Sequence, residues 1–216
     1  MTDARADLPY SGELYRKGLH MIALLLPAAV VVLGKPEVLY GLVPLALFAL
    51  ALDYWRSRNH WLNRFIDRTF GWMMRRRERP AVGDPPAFNG ATWVVTSMAV
   101  LTILFPVDVA VVAFCIFMVG DAAAALVGRR FGRTEWGRKG CTVEGSAAFF
   151  AAGLLTAFLI AAPGIGIAPF SSTWAALILA TTAAMILEAT PLPLNDNIAA
   201  PLGTALVLLA AASLGI

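Results

Sequence analysis

An aspartate stands inside an apolar run. In the stretch VDVAVVAFCIFMVGDAAAALVGRRFGRTEWGRKGCTVEGSAAFF, residues 107–150, Asp121 is surrounded by small and aliphatic residues. A charge within a hydrocarbon layer costs a few kcal/mol or more, so it persists where it is paired or where it does chemistry. A basic, glycine-punctuated loop follows from Gly128 to Gly140. Thr142, Glu144, Gly145 and Ser146 then open the next apolar run. Other polar groups recur at similar places. Glu13, Arg16, Lys17 and His20 are spaced i, i+3, i+4 and i+7, one face of a helix. Glu188 closes one apolar run, and Asn195, Asp196 and Asn197 lead into another.

Carboxylates and amides beside Arg and Lys suit phosphate chemistry. Magnesium prefers oxygen ligands, often one or two carboxylates plus substrate phosphates. Gly128 and Gly132, flanked by Arg129, Arg130 and Arg133, would let backbone amides and guanidinium groups approach phosphate oxygens. Phosphoryl transfer needs mainly positioning and charge neutralisation, which such a set could supply. Each residue also has a plainer role open to it. His20 suits an interfacial histidine, Glu144 a first-turn acid, Ser146 and Asp196 helix caps, and Arg129, Arg130 and Arg133 topology signals.

The elements that must position these residues are membrane spans. The chain is 59% hydrophobic and 14% charged, where a soluble domain carries roughly a quarter charged residues. Apolar blocks of spanning length predict an all-α, polytopic membrane protein with about seven helices, at 19–34, 37–53, 90–106, 107–128, 146–162, 172–190 and 197–214. The first run starts near Leu19, after acidic and basic residues and without a small-x-small cleavage site, so it does not read as a signal peptide. Cys115 falls within a span and Cys141 in the basic loop, which gives no disulfide framework. With seven spans, 16 of the 17 Lys and Arg residues fall on one side and only Lys35 on the other. The positive-inside rule then places the N-terminus in the cytoplasm and the C-terminus opposite. All the polar groups above lie at or near that cytoplasmic face.

Residues 53–80, too charged to cross, read as an amphipathic helix, with Trp55, Trp61, Leu62, Phe65, Ile66 and Met73 at helical spacing. Its basic residues between 56 and 79 would meet anionic lipid headgroups. A nucleic-acid role is the weaker reading, because a membrane surface explains both faces at once. The amphipathic helix and linker cover 53–89 and the basic loop 129–145, within a single membrane domain over 1–216. The run Gly132 to Lys139 lacks the Gly-Lys-Ser/Thr of a P-loop, and neither a zinc-protease HExxH nor a hydrolase GxSxG elbow occurs.

Four motifs in order carry a resemblance: ELYRKGLH near the start, GDAAAALVGRRFG in the middle, TVEGS after it, and NDNIAAPL near the end. Together they resemble the CTP-dependent lipid-alcohol kinases, the group of dolichol, phytol and CTP-dependent diacylglycerol kinases, broadly related to membrane cytidylyltransferases. The resemblance implies transfer of the γ-phosphate of CTP to the hydroxyl of a membrane lipid, with Mg²⁺ or another divalent cation. It implies that Asp121, Asp196 and Asn197 are catalytic; Glu188, an acid at the same face, is expected to join them, and Asp121 and Asp196 are expected near the metal. Gly128, Arg129, Gly132, Arg138, Lys139, Thr142, Glu144, Gly145 and Ser146 would form the nucleotide side, and Arg16, Lys17 and His20 the substrate or phosphate side. Where relatives often carry two lysines before the Thr/Ser-x-Glu/Ala-Gly motif, this chain has Gly140 and Cys141. A cytidylyltransferase forming a CDP-lipid is the alternative enzyme, and a small transporter or scaffold the alternative from another class.

Overall fold

A computed structural model describes residues 10–138, 140–161 and 172–215. Among them are nine α-helices: α1 (Tyr10–Ile22), α2 (Leu25–Leu33), α3 (Lys35–Arg56), α4 (His60–Phe70), α5 (Gly90–Leu104), α6 (Val107–Phe131), α7 (Val143–Ala161), α8 (Trp174–Ala189) and α9 (Asp196–Ser213). No strand forms among the described residues; the one β-bridge, Glu135 with Thr142, lies in the loop before α7. Five segments are long and apolar enough to cross a membrane: Tyr10–Leu33, Lys35–Arg56, Val107–Phe131, Val143–Ile160 and Asp196–Ser213. Two more apolar helices, α5 and α8, are shorter.

The breaks follow from proline and its neighbours. Pro27 has no N–H to give to the carbonyl of Ala23, so α1 and α2 meet at a 3₁₀ turn instead of continuing as one regular helix. The first span is therefore longer than the sequence predicts: its helix begins at Tyr10, and the Glu13 to His20 face is part of it. Phe105 and Pro106 separate α5 from α6 in a tight turn. There Lys35 donates to the carbonyls of Ile103 and Phe105, both at 3.1 Å, satisfying acceptors that the end of α5 leaves open.

Helix α6 is the centre. It packs against α1, α2, α5, α7, α8 and α9. Phe114, Ile116, Phe117 and Met118 are buried within it, as a helix apolar all round must be. The outer surface is apolar too, with Val32 80% and Tyr40 84% exposed, as lipid-facing positions require. Lipid gives no hydrophobic drive between helices, so small residues set their approach. Gly120 of α6 faces the Phe149 ring of α7, and Gly153 of α7 faces Ile116. Hydroxyls inside the bundle turn back on their own helices: Thr102 donates to Met98, Thr181 to Leu177 and Thr204 to Ala200.

Residues 53–80 depart from the single amphipathic helix that their spacing predicts. Helix α3 runs on to Arg56, and Asn59 starts a separate α4 by accepting from the backbone N–H groups of Trp61 and Leu62. Two 3₁₀ turns follow, Gly71–Met73 and Arg76–Glu78. The polar stripe of α4 faces the protein: Asn63 and Asp67 accept from the fully buried Arg56 at 2.8 and 3.1 Å. Trp61 and Phe65 stack on its other side and stay exposed.

The Gly120 contact yields a test. A Cβ there would lie 2.7 Å from the Phe149 ring, whereas one at Gly41 in α3 meets nothing within 4 Å. Gly120→Ala should destabilise by about 1–3 kcal/mol, read as a lower melting temperature in detergent. Gly41→Ala should leave it unchanged or raise it.

Candidate active site

Helix α1 lays its polar face on α6. Lys17, 3% exposed, donates to Oδ2 of Asp121, and Nε2 of His20 lies 3.2 Å from the same oxygen. One turn before Lys17, the buried Glu13 accepts from Arg16 at 2.5 Å. Arg75 stands 3.6 Å from Oε1 of Glu13, and Arg129 of α6 stands 3.5 Å from its Oε2. The face that the sequence spacing marks is thus an ion-pair strip against the central helix.

The basic loop reaches the site through Arg138. Its guanidinium meets Glu188 at the end of α8 at 2.7 Å and Asp196 at the start of α9 at 2.6 Å. The Arg138 N–H donates to the carbonyl of Ala189 at 2.6 Å. Gly137 permits this approach: its φ is +66°, and any Cβ would run into the Ala189 carbonyl. Burial works against the Arg138 charge, but Asp196 and Glu188 outweigh it and hold the group above the ordinary arginine range. The Cys141 thiol, 3.4 Å from Nε of Arg138 and 3.6 Å from Glu188, is pushed up by burial and by that carboxylate.

Asn195 caps α9 by accepting from the Asn197 N–H at 3.0 Å, which sets Asp196 and Asn197 in the first turn. A polar cavity of about 200 Å³ opens here. Its walls come from α1 (Arg16, Lys17), the segment between α4 and α5 (Arg75, Glu78, Ala87, Phe88), Gly90 of α5, Asp121 of α6, and Asn195, Asp196 and Asn197. The sequence motifs containing Lys17, Asp121 and Asp196 therefore meet in one space, with all three residues on the same cavity.

Other expected site residues stand behind that wall. His20 reaches it through Asp121, Arg129 through Glu13 and its partners Arg16 and Arg75, Arg138 through Asp196, and Glu188 through Arg138. Gly128 and Gly145 form the close crossing of α6 on α7, where a Cβ on either would press on Thr142 or the other glycine. Gly132 likewise lies against Thr142, whose hydroxyl accepts from the Gly145 N–H at 3.1 Å. Ser146 accepts from the Trp136 indole at 2.8 Å, and Glu144 from the Thr134 N–H at 3.4 Å. These six residues shape the loop and its helix instead of lining the cavity. Lys139 lies outside the described residues.

Sequence reasoning assigned Arg75 to lipid headgroups and gave Glu78 no role. The signal available was Glu78 itself, an acid inside the basic run RRRER, three residues after Arg75. Among the described residues no group of three or more His, Cys, Asp and Glu side chains is arranged to hold a metal. Of the three carboxylates on the cavity, Glu78 is engaged by the Arg75 N–H of its own turn; Asp121 and Asp196 fit a cation that takes its other ligands from phosphate oxygens, and do not fit a cage made wholly of protein.

No protein-family model matches the chain, and no solved structure matches it. The chain is similar to an uncharacterized protein of Rickettsia prowazekii, 24% identical over 192 residues that cover 88% of this chain and 90% of that one. It is also similar to CTP-dependent diacylglycerol kinase 1 of Saccharomyces cerevisiae, 27% identical over 124 residues. That match covers 57% of this chain and 41% of the yeast protein.

The Cys141 environment gives a pH test. A raised thiol pKa leaves less thiolate near neutrality, and thiolate is the reactive form. In a Cys115→Ala background, maleimide labelling of Cys141 should need more alkaline pH than an unperturbed cysteine. Glu188→Gln should shift that profile toward lower pH; an unmoved profile would contradict the carboxylate's part in it.

Proposed function

We propose that this chain is a membrane-embedded kinase that transfers the γ-phosphate of CTP to the hydroxyl of a lipid alcohol at the cytoplasmic face. The carrying observation is the shared cavity: three carboxylates, three cationic side chains and two amides meet at one end of an apolar bundle. The distant likeness to the yeast CTP-dependent kinase supports the same reading. In it, α5 and α8 also cross the membrane, which makes seven spans, and the arginine distribution sets the cavity end inside.

The chemistry asks little covalent work of the protein. The lipid hydroxyl oxygen bonds to the γ-phosphorus and releases its proton to solvent, while the bond from that phosphorus to the bridging oxygen of the β-phosphate breaks and CDP leaves with the electron pair. Arg16 and Lys17 on the cavity wall would neutralise phosphate oxygens, and Asn195 and Asn197 would donate or accept around them. Asp121 and Asp196 would hold Mg²⁺, which would offset phosphate charge when bound. Arg138 keeps Asp196 in place from behind. The cavity opens at the end of a lipid-facing bundle, so an acceptor hydroxyl can enter while its chain remains among apolar side chains such as those of α3 and α5.

The assay is direct. Purified protein is incubated with Mg²⁺, γ-labelled CTP or ATP, and a panel of polyprenol, phytol and diacylglycerol acceptors. Label should pass from CTP to a lipid. Label in pyrophosphate when lipid phosphates are supplied would instead establish the cytidylyltransferase. Asp121→Asn should lower turnover at least 10³-fold, about 4 kcal/mol. Asp108→Asn, about 20 Å away along α6 at 1.5 Å per residue, should leave it unchanged. Equal rates for the two variants would sink the assignment of Asp121.

A further inference from the structure

The cations around the cavity are unevenly placed. Arg16, Arg75 and Arg129 gather on Glu13, whose carboxylate is 2% exposed. Three guanidinium groups on one carboxylate leave two formal positive charges, of which Glu78 on the same wall offsets one. By contrast Arg138 alone serves two carboxylates, Glu188 and Asp196, of which Asp196 lines the cavity. The lining around Glu13 is therefore rich in donors.

Arg75 is the cation whose position the membrane reading of its segment does not explain. Its neighbour Arg76 is exposed, as a headgroup contact would be. Arg75 instead turns inward onto Glu13 and lines the cavity. The backbone holds it there. Glu78 accepts from the Arg75 N–H at 3.0 Å, while the Glu78 N–H donates to the Arg75 carbonyl at 2.8 Å, closing the turn from both ends. Arg79 then grips Asp67 of α4 with two bonds, at 3.1 and 3.2 Å, and Asp67 also takes the buried Arg56. The turn that carries Arg75 is tied to α3 and α4, and its side chain, 31% exposed, reaches the cavity from that anchored base.

We propose that Arg75 is a phosphate-binding residue of this site, presented beside Arg16 by the carboxylate of Glu13. The inference rests on the nucleotide-transferase reading above and adds the segment between α4 and α5 to its polyphosphate side. At 3.6 Å the Arg75 contact with Glu13 is longer than the 2.5 Å contact of Arg16, and both side chains line the cavity. A guanidinium offers five N–H donors in a fixed fork, which suits a polyphosphate chain better than a single point charge does. Glu13 is then a positioning residue that keeps three guanidinium groups together until the substrate arrives.

The test is binding without any lipid acceptor. Full-length protein in detergent is titrated with Mg²⁺–tripolyphosphate and with Mg²⁺–CTP by calorimetry. Arg75→Gln should weaken both about tenfold or more, as loss of a charge-assisted bond implies, without lowering the melting temperature by more than a few degrees. Arg76→Gln should change neither affinity. Arg75→Lys should fall between wild type and Arg75→Gln, and if the glutamine variant fails to fold it is the deciding one: reduced affinity supports the proposal, unchanged affinity overturns it. Wild-type affinity in Arg75→Gln would overturn the role of Arg75 while leaving the kinase reading in place. Absence of binding in the wild-type protein would overturn both.

Discussion

The structure depends on the ion pair of Lys17 and Asp121. Two charges on different helices face each other in an apolar bundle, and neither is tolerable there alone. Removing one partner of such a buried pair costs about 3–5 kcal/mol, because the other is left uncompensated. The pair fixes the height of α1 on α6. It also brings His20, one turn along, to the same carboxylate oxygen, and sets Glu13 one turn back beside Arg129. Once α1 is registered in this way, one wall of the cavity is complete.

The other walls are closed by the same device. Arg138 ties the basic loop to α8 and α9, Arg79 ties the 3₁₀ turns and Arg56 ties α3 to α4, and Asp53 accepts from Asn89 and Thr92 to hold the start of α5. Five carboxylates (Glu13, Glu78, Asp121, Glu188, Asp196) stand with five cations (Arg16, Lys17, Arg75, Arg129, Arg138) in and just behind the cavity. A cluster balanced in this way suits the proposed nucleotide–magnesium complex, which brings an anion and a cation together. It gives less to either alone.

Much of this was legible in the sequence. Hydropathy blocks bounded by proline and glycine located α3 and α5 to α9 to within a few residues, because the length of an apolar run and its Pro and Gly boundaries are local features of the chain. Asp121 announced itself by its apolar setting, and the i, i+3, i+4, i+7 pattern of α1 gave the face that meets it. Other features depend on contacts remote in sequence. Nothing local in Arg138 shows that it will bridge Glu188 and Asp196, 50 and 58 residues on. Gly128 and Gly145 look like phosphate-loop glycines in a linear reading, yet what they meet is each other across a helix crossing. Arg75 was hidden because the basic run around it already had a sufficient explanation at the membrane surface, and 3₁₀ turns leave no period to contradict it.

The central claim is that the cavity of Asp121 and Asp196 is where the nucleotide binds. Photo-crosslinking with an azido derivative of CTP, in the presence of Mg²⁺ and followed by peptide mapping, tests it most directly. The account predicts label in peptides that contain Arg16 and Lys17, Arg75 to Gly90, and Asn195 to Asn197, with excess unmodified CTP suppressing it. Competable label confined to the opposite end of the bundle, around Lys35 and Asp108, would contradict it.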